Sequence, residues 1–343
     1  MRKTQFVSDL EGPLTLNDNA FELTAHFLPQ GAHFFALMSR YDDILADIVK
    51  RSGYRAGTTL ALIVPFLKAF GLRDRDLHEF SRSSIRLVPG AFEALQRIRA
   101  QMPAFIISTS YEPYVRAVCE ALQFPFENAY CTKISLDAYA LSEEERQELL
   151  TLYDQIVQRS QIQIPPGVQS VDELSGEDRQ TLELLDHIFW ERVWGMEIGR
   201  VLREVQPIGG PEKARALREI SERTGISLAQ TIYVGDSITD VEALALVRQA
   251  GGLAVAFNGN RYALRAAEIG CISSDALILA EIAEAFQASP GPYTVPPQAA
   301  RRTVQTKSGQ AKPGLTTHID EAFIHQSEQM RRRLRGEQIG GLG

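Results

Sequence analysis

Residues 231–244 read TIYVGDSITDVEAL. A short run rich in β-branched and aromatic residues, Thr231 to Val234, stops at Gly235, and Asp236 stands at the strand end. Asp240 follows four residues later, one helical turn away. Three other stretches share this grammar of an apolar run closed by a small or acidic residue and followed by a helical pattern: QFVSD (5–9), AFIISTS (104–110) and LAVAFNGN (253–260). Together they predict an α/β chain with a buried parallel sheet. Ligands of such sheets gather in the crevice outside the carboxyl ends of the strands, so Asp9, Ser108 and Asp236 are expected to converge although they lie far apart in the sequence.

The chain has 343 residues, 44% hydrophobic and 23% charged, with a net charge of -7, which reads as globular and argues against nonspecific binding to nucleic acid or to an anionic membrane. Cys119, Cys131 and Cys271 are odd in number and lack metal-ligand spacing, so they are expected as reduced core residues. Only a four-residue strand-like segment separates the basic N-terminus from Asp9, and no apolar run reaches the ~18 residues of a membrane span. A cytoplasmic protein is the expectation.

Working outward, the strand segments leave residues 1–17, 87–136 and 206–287 for a Rossmann-like core. Residues 18–86 carry helical periodicity, as in YDDILADIVKRSGY (41–54) and TLALIVPFLKAFGL (59–72), and read as a helical cap inserted after the first strand. Residues 137–205 read as a second helical insertion, with Ser142 and Glu145 in capping-box spacing and Ser175 with Asp178 opening a further helix. Trp190 and Trp194 share a helix face there, for packing on the core or for a substrate lid or partner surface. Residues 288–343 read as a Pro- and Gly-rich linker and then a basic helix from about His318 to Arg335, whose RRRLR (331–335) complements the helix macrodipole. The tail is expected either solvated or docked on the core, or in contact with a partner; the insertion and the tail leave a homo-oligomer or protein partner open.

Asp9 and Glu11 flank Leu10 in VSDLEGPLT (7–15). A carboxylate fixed in line with phosphorus beside a charge-screening metal can form an aspartyl-phosphate, and Asp9 is placed for that. Magnesium needs oxygen ligands from few carboxylates, and Asp236 with Asp240 supplies them. Like-charge approach of carboxylate and phosphate costs ~4 kcal/mol at ~4 Å and an effective dielectric of 20, so a cation is needed, and Lys213 in GGPEKARALREI (209–220) is the candidate. Ser108 can donate to a phosphate oxygen, aided by backbone N–H groups at the helix start after it.

Asp-x-Glu, a Ser after a strand, a Lys, then Gly-Asp-x-x-x-Asp, in this order, resembles the haloacid dehalogenase superfamily. Within it the phosphoserine phosphatase branch is the most similar, through IRLVPGAFEALQRIRA (85–100), GPEKARAL (210–217) and YVGDSITDVEAL (233–244) followed by LAVAFNGN. The resemblance implies that Asp9 is nucleophile and magnesium ligand, and that Glu11 is the acid/base with its backbone carbonyl on the metal. It implies further that Ser108, Thr109 and Lys213 bind phosphate, that Asp236 ligates the metal and that Asp240 supports or ligates it. The activity implied is an Mg2+-dependent phosphatase for a small phosphorylated metabolite. A phosphotransferase to an alcohol acceptor and a non-catalytic accessory protein of the same fold are the alternatives. Two positions depart from the family: most of its phosphatases have Asp at Glu11 and Thr or Val at Pro13, although DLEG also occurs in the phosphoserine and homoserine phosphotransferase. Arg40, Arg51, Arg55 and Arg82 are candidates for a substrate carboxylate or second phosphate.

Overall fold

A computed structural model describes residues 3–165, 167–288 and 314–341. Seven strands form one sheet: β1 (Gln5–Ser8), β2 (Ala104–Tyr111), β3 (Ala129–Thr132), β4 (Thr231–Gly235), β5 (Leu253–Phe257), β6 (Ile269–Ile272) and β7 (Gly314–Thr316). Their order is β3-β2-β1-β4-β5-β6-β7. All neighbours pair in parallel except β6 and β7, which are antiparallel. The chain reverses its direction of sheet growth at β1, which lies between β2 and β4, and that switch point opens the crevice in which a doubly wound sheet binds its ligand.

Alternation along the strands feeds two cores. Phe6, Ile106, Ile232, Val234 and Val255 point to one face, where the helices Ala91–Arg99, Glu112–Ala121 and Leu277–Ala288 cover them. Val7, Phe105, Ile107, Tyr233, Ala254 and Ala256 point to the other, under the helices Gly210–Thr224, Val241–Gln249 and Arg261–Ala266. The expected three-layer α/β core is therefore present. Cys119, Cys131 and Cys271 are buried free thiols, as anticipated. Among the described residues no helix is long and apolar enough to cross a membrane.

Most of residues 19–84 is helical, and so is most of 143–204. The two stretches share one hydrophobic core: the tilted rings of Phe34 and Tyr153 have centroids 4.7 Å apart, Phe66 and Tyr153 lie at 5.9 Å, and Tyr41 meets Phe189 at 5.8 Å. Ser142 accepts from the Glu145 N–H and Ser175 from the Asp178 N–H, both at 3.1 Å, so both helix starts lie where their spacing placed them. The Glu145 carboxylate reaches outward to the N–H groups of Glu197 and Ile198, in place of the reciprocal contact of a capping box. Trp190 packs inward and donates to the Tyr41 hydroxyl at 2.8 Å, while Trp194 is 41% exposed.

Most of the Pro- and Gly-rich linker, 289–313, lies outside the described residues. Beyond it the basic helix Glu321–Arg335 is docked on the sheet. Gly270 permits this: a Cβ there would sit 2.3 Å from the Phe323 ring. Ser327, with no exposed surface, donates to the Gly259 carbonyl at 2.8 Å, and Arg261 and Arg265 pair with Glu321.

Candidate active site

The loop after β1 turns sharply under Asp9. The Asp9 N–H donates to the Val234 carbonyl at 2.8 Å, which fixes the end of β1 to β4. Gly12 donates to Thr15, and Leu14 and Thr15 both donate to the Leu10 carbonyl. The loop thus draws on the N–H groups around Pro13, and proline fits a position from which no donor is drawn. Gly12 has φ +107, and a Cβ on it would stand 2.1 Å from Oδ2 of Asp236, so glycine alone lets the loop lie against that carboxylate.

Lys213 is completely buried near the start of the Gly210–Thr224 helix, and its Nζ lies 2.8 Å from Oδ2 of Asp9 and 2.8 Å from Oδ1 of Asp240. Burial opposes its charge, but the two carboxylates outweigh burial and hold the ammonium above the ordinary lysine range. Asp240 accepts in addition from the Tyr233 hydroxyl at 2.7 Å and from the N–H groups of Asp236 and Ser237 at 2.9 and 3.1 Å. Burial alone would raise its pKa; Lys213 and these donors keep its carboxyl below the usual range. Both of its oxygens are engaged, so Asp240 orients Lys213 and closes the Asp236 turn. Asp9 behaves oppositely: burial first, then Asp240, push its carboxyl up to about 8 against the pull of Lys213.

Asp9, Asp236 and Asp240 each bring one carboxylate oxygen within 4.8 Å of the others. Asp236 is buried, and its Oδ2 accepts from Arg331 and, at 3.2 Å, from Arg335. These arginines, read from sequence as helix-end charge, reach the site from the docked C-terminal helix. Their i,i+4 spacing was the available signal that both share a face.

Glu11 points toward the cap, where its Oε1 accepts the Asn19 N–H at 2.7 Å, at the first turn of the helix Asn19–Phe27. Desolvation and then the neighbouring Asp18 push its carboxyl well above the usual range, while Arg335, the Asn19 N–H and Ser110 oppose the rise. Ser108 is buried in the carboxyl half of β2 and its Oγ accepts from the Ser110 N–H at 3.2 Å. The Thr109 hydroxyl is turned away, donating to the Ile208 carbonyl at 2.8 Å.

A cavity of about 130 Å³ joins these groups, walled by Asp9, Glu11, Ser108, Thr109, Ser110 and Asp236 from the sheet side and by Asp42, Asp43, Gly57 and Thr59 from the cap. Lys213 lies behind this wall. Arg40, Arg51, Arg55 and Arg82 do not line it: Arg40 pairs with Asp43, Arg51 lies over the Trp190 ring, Arg55 pairs with Glu212, and Arg82 meets Glu120 at the surface. Asp18, Asp42 and Ser110 were passed over in the sequence because single polar residues in helical or strand patterns carry no local mark of a cavity.

No family model matches the chain. The structure of gene product AF1437 from Archaeoglobus fulgidus is 31% identical, with all of this chain and 99% of that one covered at a TM-score of 0.81. The phosphoserine phosphatase SerB2 of Mycobacterium tuberculosis (strain ATCC 25618 / H37Rv) is 36% identical over 77 residues, 22% of this chain. The chain belongs to the haloacid dehalogenase superfamily. The match to SerB2 spans 15% of that relative's length. A substrate-bound phosphoserine phosphatase complex aligns over 83% of this chain at 16% identity with a TM-score of 0.48. Within the superfamily's order of motifs, the structure gathers Asp9, Glu11, Ser108, Asp236 and Asp240 at the carboxyl ends of β1, β2 and β4, with Lys213 beneath them.

Proposed function

We propose that the protein is a phosphatase-type hydrolase that cleaves a small phosphate monoester through a phosphorylated Asp9. The observation that carries this reading is the buried Lys213 ammonium held 2.8 Å from both Asp9 and Asp240, behind the cavity wall that Asp9 forms. A lysine so placed favours the ionised form of Asp9 against the burial that raises its pKa to about 8, and leaves its carboxylate directed at a phosphorus atom.

The carboxylates of Asp9 and Asp236 form the hard, all-oxygen donor set that suits Mg2+, and on Asp236 the ion would share the carboxylate with Arg331 and Arg335. Asp9, Asp236 and the Glu11 backbone carbonyl would hold the ion. Bound there, it would screen the phosphate charge and orient the ester. In the first step an Asp9 oxygen attacks phosphorus, the P–O ester bond breaks, and Glu11 gives its proton to the departing oxygen. Its raised pKa, caused first by burial, favours the protonated form that this step needs. In the second step Glu11 takes a proton from water, which attacks phosphorus and frees Asp9 with release of phosphate. Ser108 and the backbone at Thr109 and Ser110 line the place for the phosphate oxygens. Asp42 and Asp43 on the cap wall disfavour an anionic distal group, so the substrate's far end is neutral or bears an ammonium.

A second reading, a non-catalytic member of the superfamily, is favoured by the two guanidinium groups on Asp236. A panel of phosphorylated metabolites assayed with and without Mg2+, in the parent and in Asp9→Asn, separates the two. Mg2+-dependent turnover lost by several orders of magnitude in Asp9→Asn supports the hydrolase. No turnover together with no Mg2+ binding supports the second reading. An alcohol acceptor added to the same assay distinguishes transfer from hydrolysis.

A further inference from the structure

The cavity wall is strongly acidic: Asp9, Glu11, Asp18, Asp42, Asp43 and Asp236 all line it. Lys213 spends its charge on Asp9 and Asp240 behind that wall. Among the described residues lining the cavity, the basic side chains are Arg331 and Arg335. An anion entering here meets its positive charge on the C-terminal helix.

The geometry points to Arg331, braced by Arg335, as a phosphate-binding residue that the C-terminal helix contributes to the active site, receiving the oxygens of the phosphoryl group carried by Asp9. Four observations converge on this. Both guanidinium groups are almost fully buried, with 4% and 8% of the residue exposed. Arg331 donates to the side chain and, at 3.2 Å, to the backbone carbonyl of Asp236, whose carboxylate clusters with that of Asp9 within 4.8 Å. Arg335 is a brace: its Nε donates to the Leu16 carbonyl and its terminal nitrogen to the Asn17 carbonyl, at 3.3 and 2.5 Å, which ties the helix to the segment following the nucleophile loop. The helix is a rigid platform, fixed by Ser327 on Gly259 and by Phe323 over Gly270, with Ile324 and Met330 buried. A planar guanidinium fork matches phosphate bidentately where an ammonium acts only as a point charge.

This inference rests on the phosphatase reading for its ligand, but its test uses reversible binding and needs no turnover. Inorganic phosphate is titrated calorimetrically into the full-length, Mg2+-containing protein and into Arg331→Gln and Arg331→Lys. Arg331→Gln is expected to weaken phosphate by about tenfold or more, with Arg331→Lys recovering part of the loss. Mg2+ titrated without phosphate should bind the Gln variant as tightly as the parent or more tightly, because Asp236 loses a competing cation. Phosphate affinity within about twofold of the parent in Arg331→Gln overturns the inference, as does a parent that binds no phosphate, or a Gln variant that loses Mg2+ along with phosphate. If Arg331→Gln does not fold, Arg331→Lys decides: weakening of about threefold or more supports the fork, and parental affinity refutes it. A parent that never phosphorylates Asp9, yet depends on Arg331 for phosphate, would sink the reaction and leave this site standing. The reverse result would sink the site and leave the reaction.

Discussion

The Glu11 carboxylate accepts the backbone N–H of Asn19 at 2.7 Å, so the acid of the nucleophile loop also anchors the first helix of the cap. An aspartate at this position, one methylene shorter, would have to give up one of the two tasks.

The first prediction separates them. Glu11→Gln keeps an acceptor for Asn19 and removes proton transfer, so kcat should fall by ~10²–10⁴-fold with KM little changed. With an aryl phosphate, whose leaving group needs no protonation, phosphorylated Asp9 should accumulate and be seen by intact mass after acid quench. Glu11→Asp should keep more of kcat and raise KM, because the cap loses its tether. Parental turnover in Glu11→Gln would leave Glu11 a cap-binding residue alone.

Lys213 should be as much a stability residue as a catalytic one. Breaking a buried ion pair from one side typically costs about 3–5 kcal/mol, because a charge is left uncompensated. Lys213→Met is therefore expected to lose stability on that scale in urea denaturation, and activity with it. Adding Asp240→Asn removes one stranded carboxylate and should return part of the stability but none of the activity. A double variant no more stable than the single one would show that Lys213 and Asp240 are not coupled as the 2.8 Å contact implies.

How far the sequence reveals this site follows from the range of each interaction. β1, β4 and β5 are continuous buried runs and β2 nearly so, with Asp9 and Asp236 just past the ends of β1 and β4 and Ser108 in the carboxyl half of β2, so a local pattern reveals both the strand and the functional end. β3 is only half buried, β6 is interrupted by Gly270 and β7 spans three residues, so none of them reads as an apolar run closed by a functional residue, as the equally short β1 does. The shared core of cap and insertion is a matter of contacts such as Phe34 with Tyr153, which leave no trace in either segment alone. Arg331 and Arg335 show the same limit at the site itself: five basic-rich residues ending a helix read as dipole complement, and only the docking of that helix reveals that positions 331 and 335 turn inward.

Asp42 gives a pH dependence with a definite sign. Its Oδ2 accepts from the Gly57 N–H at 2.9 Å and from the Thr59 N–H and hydroxyl at 3.2 and 2.9 Å, but burial outweighs these bonds and moves its carboxyl up to about 6 from 3.8. Between these values the folded protein holds a proton that the unfolded chain has released, so this group's contribution to stability falls as pH rises from about 4 to 6. Below the lower value both states are protonated and the contribution is level. Asp42→Asn keeps an acceptor and should flatten that part of the profile of Tm against pH. A profile with the same slope in parent and variant would remove Asp42 as its source.

The last prediction concerns the shared core of the cap and the 137–205 insertion. If the insertion were an independent appendage, shortening it would leave the cap folded over a working site. The ring of Tyr153, however, packs against Phe34, Phe66 and Phe70, with centroids 4.7, 5.9 and 4.9 Å away, and its hydroxyl donates to the Pro29 carbonyl at 2.6 Å. Removing it opens a cavity in the middle of both segments and strands a backbone acceptor; large-to-small changes of this kind cost about 3–5 kcal/mol. Tyr153→Ala should therefore lower hydrogen-exchange protection together in residues 19–84 and 143–193, while β1, β4 and β5 keep theirs. Because Glu11 meets the cap from the nucleophile loop and Asp42 lines the cavity from within the cap, a loosened cap should also raise KM for a small ester more than it lowers kcat. Loss of protection confined to 143–193, with KM unchanged, would make the insertion a separate unit and return the cap to standing alone.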